Sequence, residues 1–367
     1  MAANALAIQD FSQLDAAELD ARIDAAKQKL GERLVILGHH YQREEVFRHA
    51  HYSGDSLKLS RLAAQSQAEY IVFCGVHFMA EVADILSRPE QTAILPDLSA
   101  GCSMADMANL AKVEKAWQDL QAVLGDADQA ITPVTYINSA ADLKAFCGRH
   151  GGIVCTSSNA RRVLEWSFHQ RDKVLFFPDQ HLGRNTGHDM GIPLEEMVTW
   201  DFTQPMGGLT PERIRRAKII LWKGFCSVHQ MFRPEHVDAF REKFPEGKVI
   251  SHPECSFEVC RKSDYVGSTE FIIKTVAESA PGSRWLVGTE LNLVNRLNER
   301  YKHQGKHVHF MSPTICMCST MFRIDPQHLL WTLENLVDGT VVNSIRVEES
   351  VAREAYLALG RMFTVSF

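Results

Sequence analysis

The strongest constraint on the fold is a pattern that recurs three times along the 367-residue chain. Each copy opens with an apolar run that ends in polar residues: Leu34-Val-Ile-Leu-Gly-His39-His40-Tyr41, Val134-Thr-Tyr136-Ile-Asn138-Ser139 and Val249-Ile-Ser-His252-Pro-Glu254. About seventeen residues later comes a hydroxyl-bearing helix start: Gly54-Asp55-Ser56-Leu57, Thr156-Ser157-Ser158-Asn159 and Gly267-Ser268-Thr269-Glu270. Helical stretches follow (LKLSRLAAQ, ARRVLEW, FIIKTVAES), then second strands at Tyr70–Val76, Val174–Phe177 and Trp285–Val287. Each copy closes with a strand that runs on to a cysteine: Ala93-Ile-Leu-Pro to Cys102, Ile219-Ile-Leu-Trp to Cys226, and Val308-His-Phe-Met to Cys318.

Apolar runs alternating with helical patterns predict parallel sheets. The repeat predicts an α/β chain of three similar βαβαβ modules with parallel sheets; if they are arranged around a pseudo-threefold axis, their strand ends converge on one central cavity. The expected modules are residues 1–125, 126–245 and 246–339. Residues 9–30 read as an amphipathic helix, with Phe11, Leu14, Leu19, Ile23, Ala26 and Leu30 near helical spacing. The segment 340–367 is expected to pack as a helix on the first module, and Gly183 to Pro211 reads as a long loop or lid.

Lys and Arg number 39 against 45 Asp and Glu, and 39 − 45 = −6. No global basic field recruits nucleic acid or anionic membrane. No apolar run approaches the ~18 residues of a membrane helix. No basic residue precedes Arg22, so the start does not read as a secretory signal, and a cytoplasmic, reducing location is expected for the nine cysteines. An odd count cannot pair completely.

Ligands of open α/β sheets bind beyond the carboxyl ends of the strands, where the polar clusters and the three cysteines stand. None of Cys102, Cys226 and Cys318 belongs to a CxxC pair, which argues against a zinc ribbon. One thiolate per module suits an iron–sulfur cluster with one iron left open as a Lewis acid. Cys74, Cys147, Cys155, Cys255 and Cys260 read mostly as buried, or as lying just behind the ligands. Ser157-Ser158-Asn159 and Ser268-Thr269 are candidates for a phosphate or carboxylate site, although ordinary helix capping uses the same residues. His39, Tyr41, Tyr136, His229, His252 and Glu254 form the titratable set for proton transfer.

With these residues assembled, the chain resembles the quinolinate synthase family. The resemblance rests on GHHYQ at 38–42, GDSL at 54–57, CGVHFMAE at 74–81, PDLSAGCSMAD at 96–106, YINS at 136–139 and CTSSNA at 155–160. It continues with GFCSVHQ at 224–230, HPEC at 252–255, DYVGST at 264–269, GTE at 288–290 and CxxM at 318–321. It implies three α/β domains, one [4Fe–4S] cluster, and condensation of iminoaspartate with dihydroxyacetone phosphate to quinolinate in NAD biosynthesis. Cys102, Cys226 and Cys318 match the cluster ligands. His39, Ser56, Tyr136, Asn138, Ser157, His252, Glu254 and Thr269 match substrate contacts. Tyr41 matches a tyrosine of the acid–base steps, and His229, His252 and Glu254 join it as catalytic candidates. Functional coupling to the L-aspartate oxidase that supplies iminoaspartate is implied as well. Some members carry a CxxCxxC run before the last ligand; here only Cys316 and Cys318 are present, and the CxxM spacing favours Cys318.

Two other readings use parts of the chain. A GDSL-type hydrolase would employ Ser56 with Asp325 and His328, which have the D-x-x-H spacing. A redox-sensing or electron-transfer protein would need a fourth cluster ligand such as Cys316.

Overall fold

The computed structural model describes residues 5–315 and 317–366. It contains three sheets. In chain order the strands are β1 Leu34–His39, β2 Tyr52–Gly54, β3 Tyr70–Cys74, β4 Thr92–Ile94, β5 Ile131–Tyr136, β6 Ile153–Cys155 and β7 Lys173–Phe177. They continue with β8 Met197–Trp200, β9 Ile219–Trp222, β10 Lys248–Ser251, β11 Tyr265–Val266, β12 Arg284–Gly288, β13 His307–Phe310 and β14 Ser344–Ile345. The sheet orders are β14-β4-β3-β1-β2, β6-β5-β7-β9-β8 and β11-β10-β12-β13.

The expected repeat is present, with one strand per module that the apolar pattern did not show. A short edge strand (β2, β6 or β11) precedes each helix start and pairs in parallel with the opening strand of its module. Every sheet therefore starts in the order edge, first, third; the module's fourth strand comes next in the first and last sheets, whereas in the second β9 comes next and β8 pairs outside it. The central strands β1, β3, β5 and β9 are buried at every residue. Helices covering both faces of a parallel sheet explain why these strands read as continuous apolar runs. Among the described residues, no helix is long and apolar enough to cross a membrane.

The chain divides into two compact units, Met1–Cys102 with Met317–Val347, and Ser103–Cys316 with Glu348–Phe367. The first holds one sheet and the second holds the other two. The stretch after Cys102 thus belongs with the second sheet, not with the first module up to residue 125. Its helix Leu110–Leu124 buries Val113, Trp117 and Leu120, and Trp117 meets Phe146 edge-on at 5.4 Å. Just before that helix, the Met107 carbonyl accepts from Trp222 Nε1 at 3.0 Å.

Three further expectations are corrected. The N-terminal helix begins at Ala16, not near residue 9, because the Asp15 side chain caps it by accepting from Glu18 N at 2.9 Å. The Gly183–Pro211 stretch is no lid. It lies within helix Gln180–Asp189, strand β8 and the approach to helix Pro211–Arg216. Asp179 caps the first of these helices. Glycine lets that helix press on the sheet: a Cβ at Gly183 would stand 2.6 Å from Leu221. Finally, β14 does join the first sheet, antiparallel to β4. The helix that follows, Glu349–Val365, instead packs on helix Ala141–Arg149 and β6 of the second unit. Arg361 Nη1 donates to the Gly152 carbonyl at 2.6 Å, and Asn159 Nδ2 donates to Ser366 Oγ at 2.7 Å.

That docking depends on Gly148, where a Cβ would lie 1.9 Å from the Glu354 carbonyl oxygen. Alanine gains about 1 kcal/mol of helix propensity over glycine. A backbone oxygen cannot rotate away, however, and overpacking costs about 1–3 kcal/mol. Gly148→Ala should therefore lower stability, read as a lower urea midpoint at constant m. A higher midpoint would mean the two helices can part without loss.

Candidate active site

Parallel pairing places the polar clusters beside the helix starts. Register sets His39 opposite Gly54, Tyr136 opposite Cys155, and Ser251 opposite Val266. The chain leaving each edge strand then begins its helix next to the cluster. This is the carboxyl-end position where α/β sheets bind ligands.

Four of the expected residues meet around one carboxylate in the second unit. Glu254 is 4% exposed. Its Oε1 accepts from the Tyr136 hydroxyl at 2.5 Å. His229 Nδ1 lies 3.0 Å from Oε2, close enough for an ion pair but without the in-line geometry of a hydrogen bond. His252 Nδ1 stands 3.7 Å from Oε1, and the His229 and His252 rings stack at 4.7 Å. Burial by itself pushes Glu254 up, but His252, His229 and the Tyr136 hydroxyl outweigh it and hold the carboxylate down at about 2. Glu254 is therefore an anion at neutral pH.

The two strand-end histidines share a local device. His252 Nδ1 accepts from the Glu254 backbone N–H at 3.3 Å, and His39 Nδ1 accepts from the Tyr41 N–H at 3.2 Å. An accepting Nδ1 leaves Nε2 to carry the ring proton as a donor. Burial pushes His252 down to about 3, so it serves as a neutral donor, not as a cation. In the first unit the Tyr41 ring stands edge-on to His39 at 4.7 Å.

The helix starts separate capping from binding. Asp55 caps its helix by accepting from Lys58 N at 2.9 Å, which leaves Ser56 at the first helical position. Ser268 accepts from Phe271 N at 3.3 Å, which leaves Thr269 first in its helix. Asn159 is spent locally, accepting from Thr156 N at 2.6 Å. Ser157 lines a cleft of about 290 Å³ with Asn185, Pro253 and Gly267. Asn138 Oδ1 is buried without a hydrogen-bond partner. Glu290 of the GTE segment caps its own helix through Asn292 N at 2.7 Å.

Sequence reasoning missed the strand end Pro178-Asp179 and the helix behind it. The signal was present, since Asp179 follows the apolar run Val174–Phe177 as Tyr136 follows its own. Asp179 is fully buried, and its Oδ2 has no hydrogen-bond partner. Burial and then the Glu254 charge push it well above the usual carboxylate range. Asn185 Nδ2 donates to the carbonyls of Pro253 at 2.8 Å and Cys255 at 3.0 Å, gripping the loop on both sides of Glu254.

Asp325 and His328, paired at 2.8 Å, belong to the cap of helix Pro326–Val337. Among the described residues, Ser56 and His328 share no hydrogen bond, so the hydrolase reading has no dyad.

The eight described cysteines divide by burial. Cys74, Cys147, Cys155, Cys255 and Cys260 are buried, and only Cys102, Cys226 and Cys318 are half-buried. Burial pushes the Cys74 and Cys260 thiols up to about 12 and the other three upward as well. Such thiols are poor sources of thiolate. Cys316 lies outside the described residues. Donor atoms of Cys226, His229 and Glu254 lie within 4.8 Å of one another, a group able to hold a metal ion. The chemistry of this donor set is compatible with a metal cofactor.

An ionised carboxylate with neutral donors, at the carboxyl ends of parallel strands and next to a thiol, is the kind of arrangement found in α/β enzymes and is chemically suited to proton transfer. The chain matches the family of the Quinolinate synthetase A protein over residues 21–364. It is 55% identical over 359 residues to the quinolinate synthase of Herpetosiphon aurantiacus, covering 98% of this chain and 95% of that one. It is 54% identical over 362 residues to the quinolinate synthase of Acidobacterium capsulatum, covering 99% and 97%. The chain belongs to the quinolinate synthetase A family.

The neutral burial of His252 has a measurable consequence. Its folded pKa of about 3 lies below the ordinary 6.5, so the unfolded chain binds the extra proton between those values. The contribution is complete above about pH 6.5 and is lost as pH falls, with a slope of up to about 1.4 kcal/mol per pH unit. Glu254, also depressed, adds a loss at lower pH, through the carboxylate range. His252→Gln should flatten the melting-temperature profile between about pH 6.5 and 4.5. An unchanged slope would mean that His252 is not held neutral.

Proposed function

We propose that this protein is a quinolinate synthase, condensing iminoaspartate with dihydroxyacetone phosphate to quinolinate with loss of phosphate and water, in the cytoplasm and for NAD biosynthesis. The observation that carries the reading is the buried Glu254 carboxylate, hydrogen-bonded by Tyr136 at 2.5 Å, beside His229, His252 and Cys226. Iminoaspartate must lose a carbon-bound proton to become the enamine that forms the new carbon–carbon bond. Glu254 is ionised and out of water, so it can take that proton; the Tyr136 and histidine contacts that lower its pKa also weaken it as a base, and they must loosen as the proton arrives. Its charge repels a dicarboxylate, so Glu254 faces the reacting centre and not the carboxylate groups. Those fall to neutral donors: His39 and His252 through Nε2, the Ser56, Ser157 and Thr269 hydroxyls, Asn138 and Tyr136. Tyr41, beside His39, serves a later proton transfer. Such a substrate would be supplied by an L-aspartate oxidase.

Cys102, Cys226 and Cys318 are the residues that would hold a [4Fe–4S] cluster. When bound, the cluster supplies a Lewis acid for the loss of a hydroxyl. Three half-buried thiols against five buried ones support this set. The cluster-bearing enzyme is favoured over an electron carrier because a catalytic carboxylate adjoins Cys226.

Anaerobically purified protein should carry about four irons per chain. Cys102→Ala, Cys226→Ala and Cys318→Ala should each abolish the cluster absorbance and quinolinate formation. Alanine at Cys74, Cys147, Cys155, Cys255, Cys260 or Cys316 should leave iron in place. Loss of iron from Cys316→Ala with retention in Cys318→Ala would move the third ligand. Glu254→Gln should retain iron and lose turnover by at least about a hundredfold; near-parental turnover would remove it as the base.

A further inference from the structure

Within the first unit, two side chains of the first polar cluster are committed to a distant turn. Gln42 is fully buried, and its Nε2 donates to the Met321 carbonyl at 3.1 Å. Arg43 donates through Nη2 to the Phe322 carbonyl, and its guanidinium carbon sits 3.4 Å from the centre of the Phe322 ring. These partners are 279 residues away in sequence. They are carbonyls of the turn that begins at Cys318, closed by the Phe322 N–H donating to the Cys318 carbonyl at 3.0 Å. The Cys318 sulfur lies 3.4 Å from Thr320 Oγ1 in the same turn. At the turn's end, Arg323 Nε reaches Ser99 Oγ at 2.5 Å and Asp97 Oδ2 at 3.2 Å. Those residues lie in the segment that ends at Cys102.

A ligand on an irregular turn has no sheet or helix to set its direction. Its orientation comes from whatever grips the turn's backbone. A buried amide is costly unless its hydrogen bonds are made, so the bond to Met321 resists opening more than a surface contact would. We propose that Gln42 and Arg43 are positioning residues for Cys318. They hold its turn from the buried side while Arg323 ties it to the Cys102 segment. Since Tyr41 directly precedes Gln42, one stretch of backbone sets both a proton-transfer hydroxyl and a cluster ligand. The inference rests on Cys318 being a ligand, as proposed above.

The test uses the anaerobically purified holoprotein with Gln42→Met, Arg43→Lys, Gln91→Met and Cys318→Ala, reading iron per chain, melting temperature and the rate of iron release to a ferrous chelator. Gln91 is the control: it is buried in the same unit and donates to the Ser66 and Ala68 carbonyls at 3.0 and 2.7 Å, away from the Cys318 turn. Gln42→Met and Arg43→Lys should assemble the cluster and then release iron about 10–100-fold faster than the parent, as loss of outer-sphere support does at metal sites. Gln91→Met should lower the melting temperature without changing the release rate. Arg43→Lys keeps the charge on a half-buried side chain, so it decides the matter if Gln42→Met fails to fold. Parental release rates in the folded clamp variants would overturn the proposal, as would equally fast release from Gln91→Met. Iron retained by Cys318→Ala would instead overturn the ligand assignment, whatever the clamp variants do.

Discussion

A carboxylate withdrawn from water has to find its donors and counter-charges within the protein, and in the second unit that demand falls on Glu254. Its partners come from separate stretches of chain. Tyr136 ends β5, His229 opens the turn after β9, and His252 stands two residues before Glu254 itself. Asn185 holds the loop by the carbonyls on either side. The same burial keeps His252 neutral and pushes the Asp179 carboxyl upward. One desolvated environment thus holds an ionised carboxylate beside a neutral imidazole and pushes a second carboxyl the opposite way, and groups pushed apart in this manner are what acid–base chemistry at one pH requires.

Elsewhere along the chain, side chains divide their duties by position. Asp55 and Ser268 take the capping bonds at their helix starts, which keeps the next hydroxyl, Ser56 or Thr269, out of that role. Glu290 of the GTE segment and Asp325 of the hydrolase reading both cap helices in the fold. The described cysteines divide by depth: five lie where thiolate is disfavoured, and three lie half-exposed beyond strand ends.

Much of the architecture was legible because each module states it again. An apolar run ending in His39, Tyr136 or His252 marks a parallel strand with polar residues at its carboxyl end, where α/β sheets bind ligands, and three copies in one order exclude chance better than any single run. The short strands β2, β6 and β11 escaped notice because two or three residues cannot display a period. The Gly183–Pro211 stretch reads as a long loop or lid because its glycines and prolines lower helix propensity, whereas the structure uses Gly183 to bring helix and sheet together. Propensity reports on the isolated chain, and close packing overrides it.

The sequence by itself determined the elements, their order, and which residue types stand at the strand ends. These depend on local periodicity and on caps a few residues away, which neighbouring residues settle among themselves. Only the tertiary structure decided which ends meet. Glu254 against Tyr136 joins residues 118 apart, and Gln42 against Met321 joins residues 279 apart. The C-terminal helix chose the second unit because Gly148 leaves space for the Glu354 carbonyl. Such pairings, and the ionisation states that follow from them, are set by burial and distance across sheets, and neither quantity exists until the chain has folded.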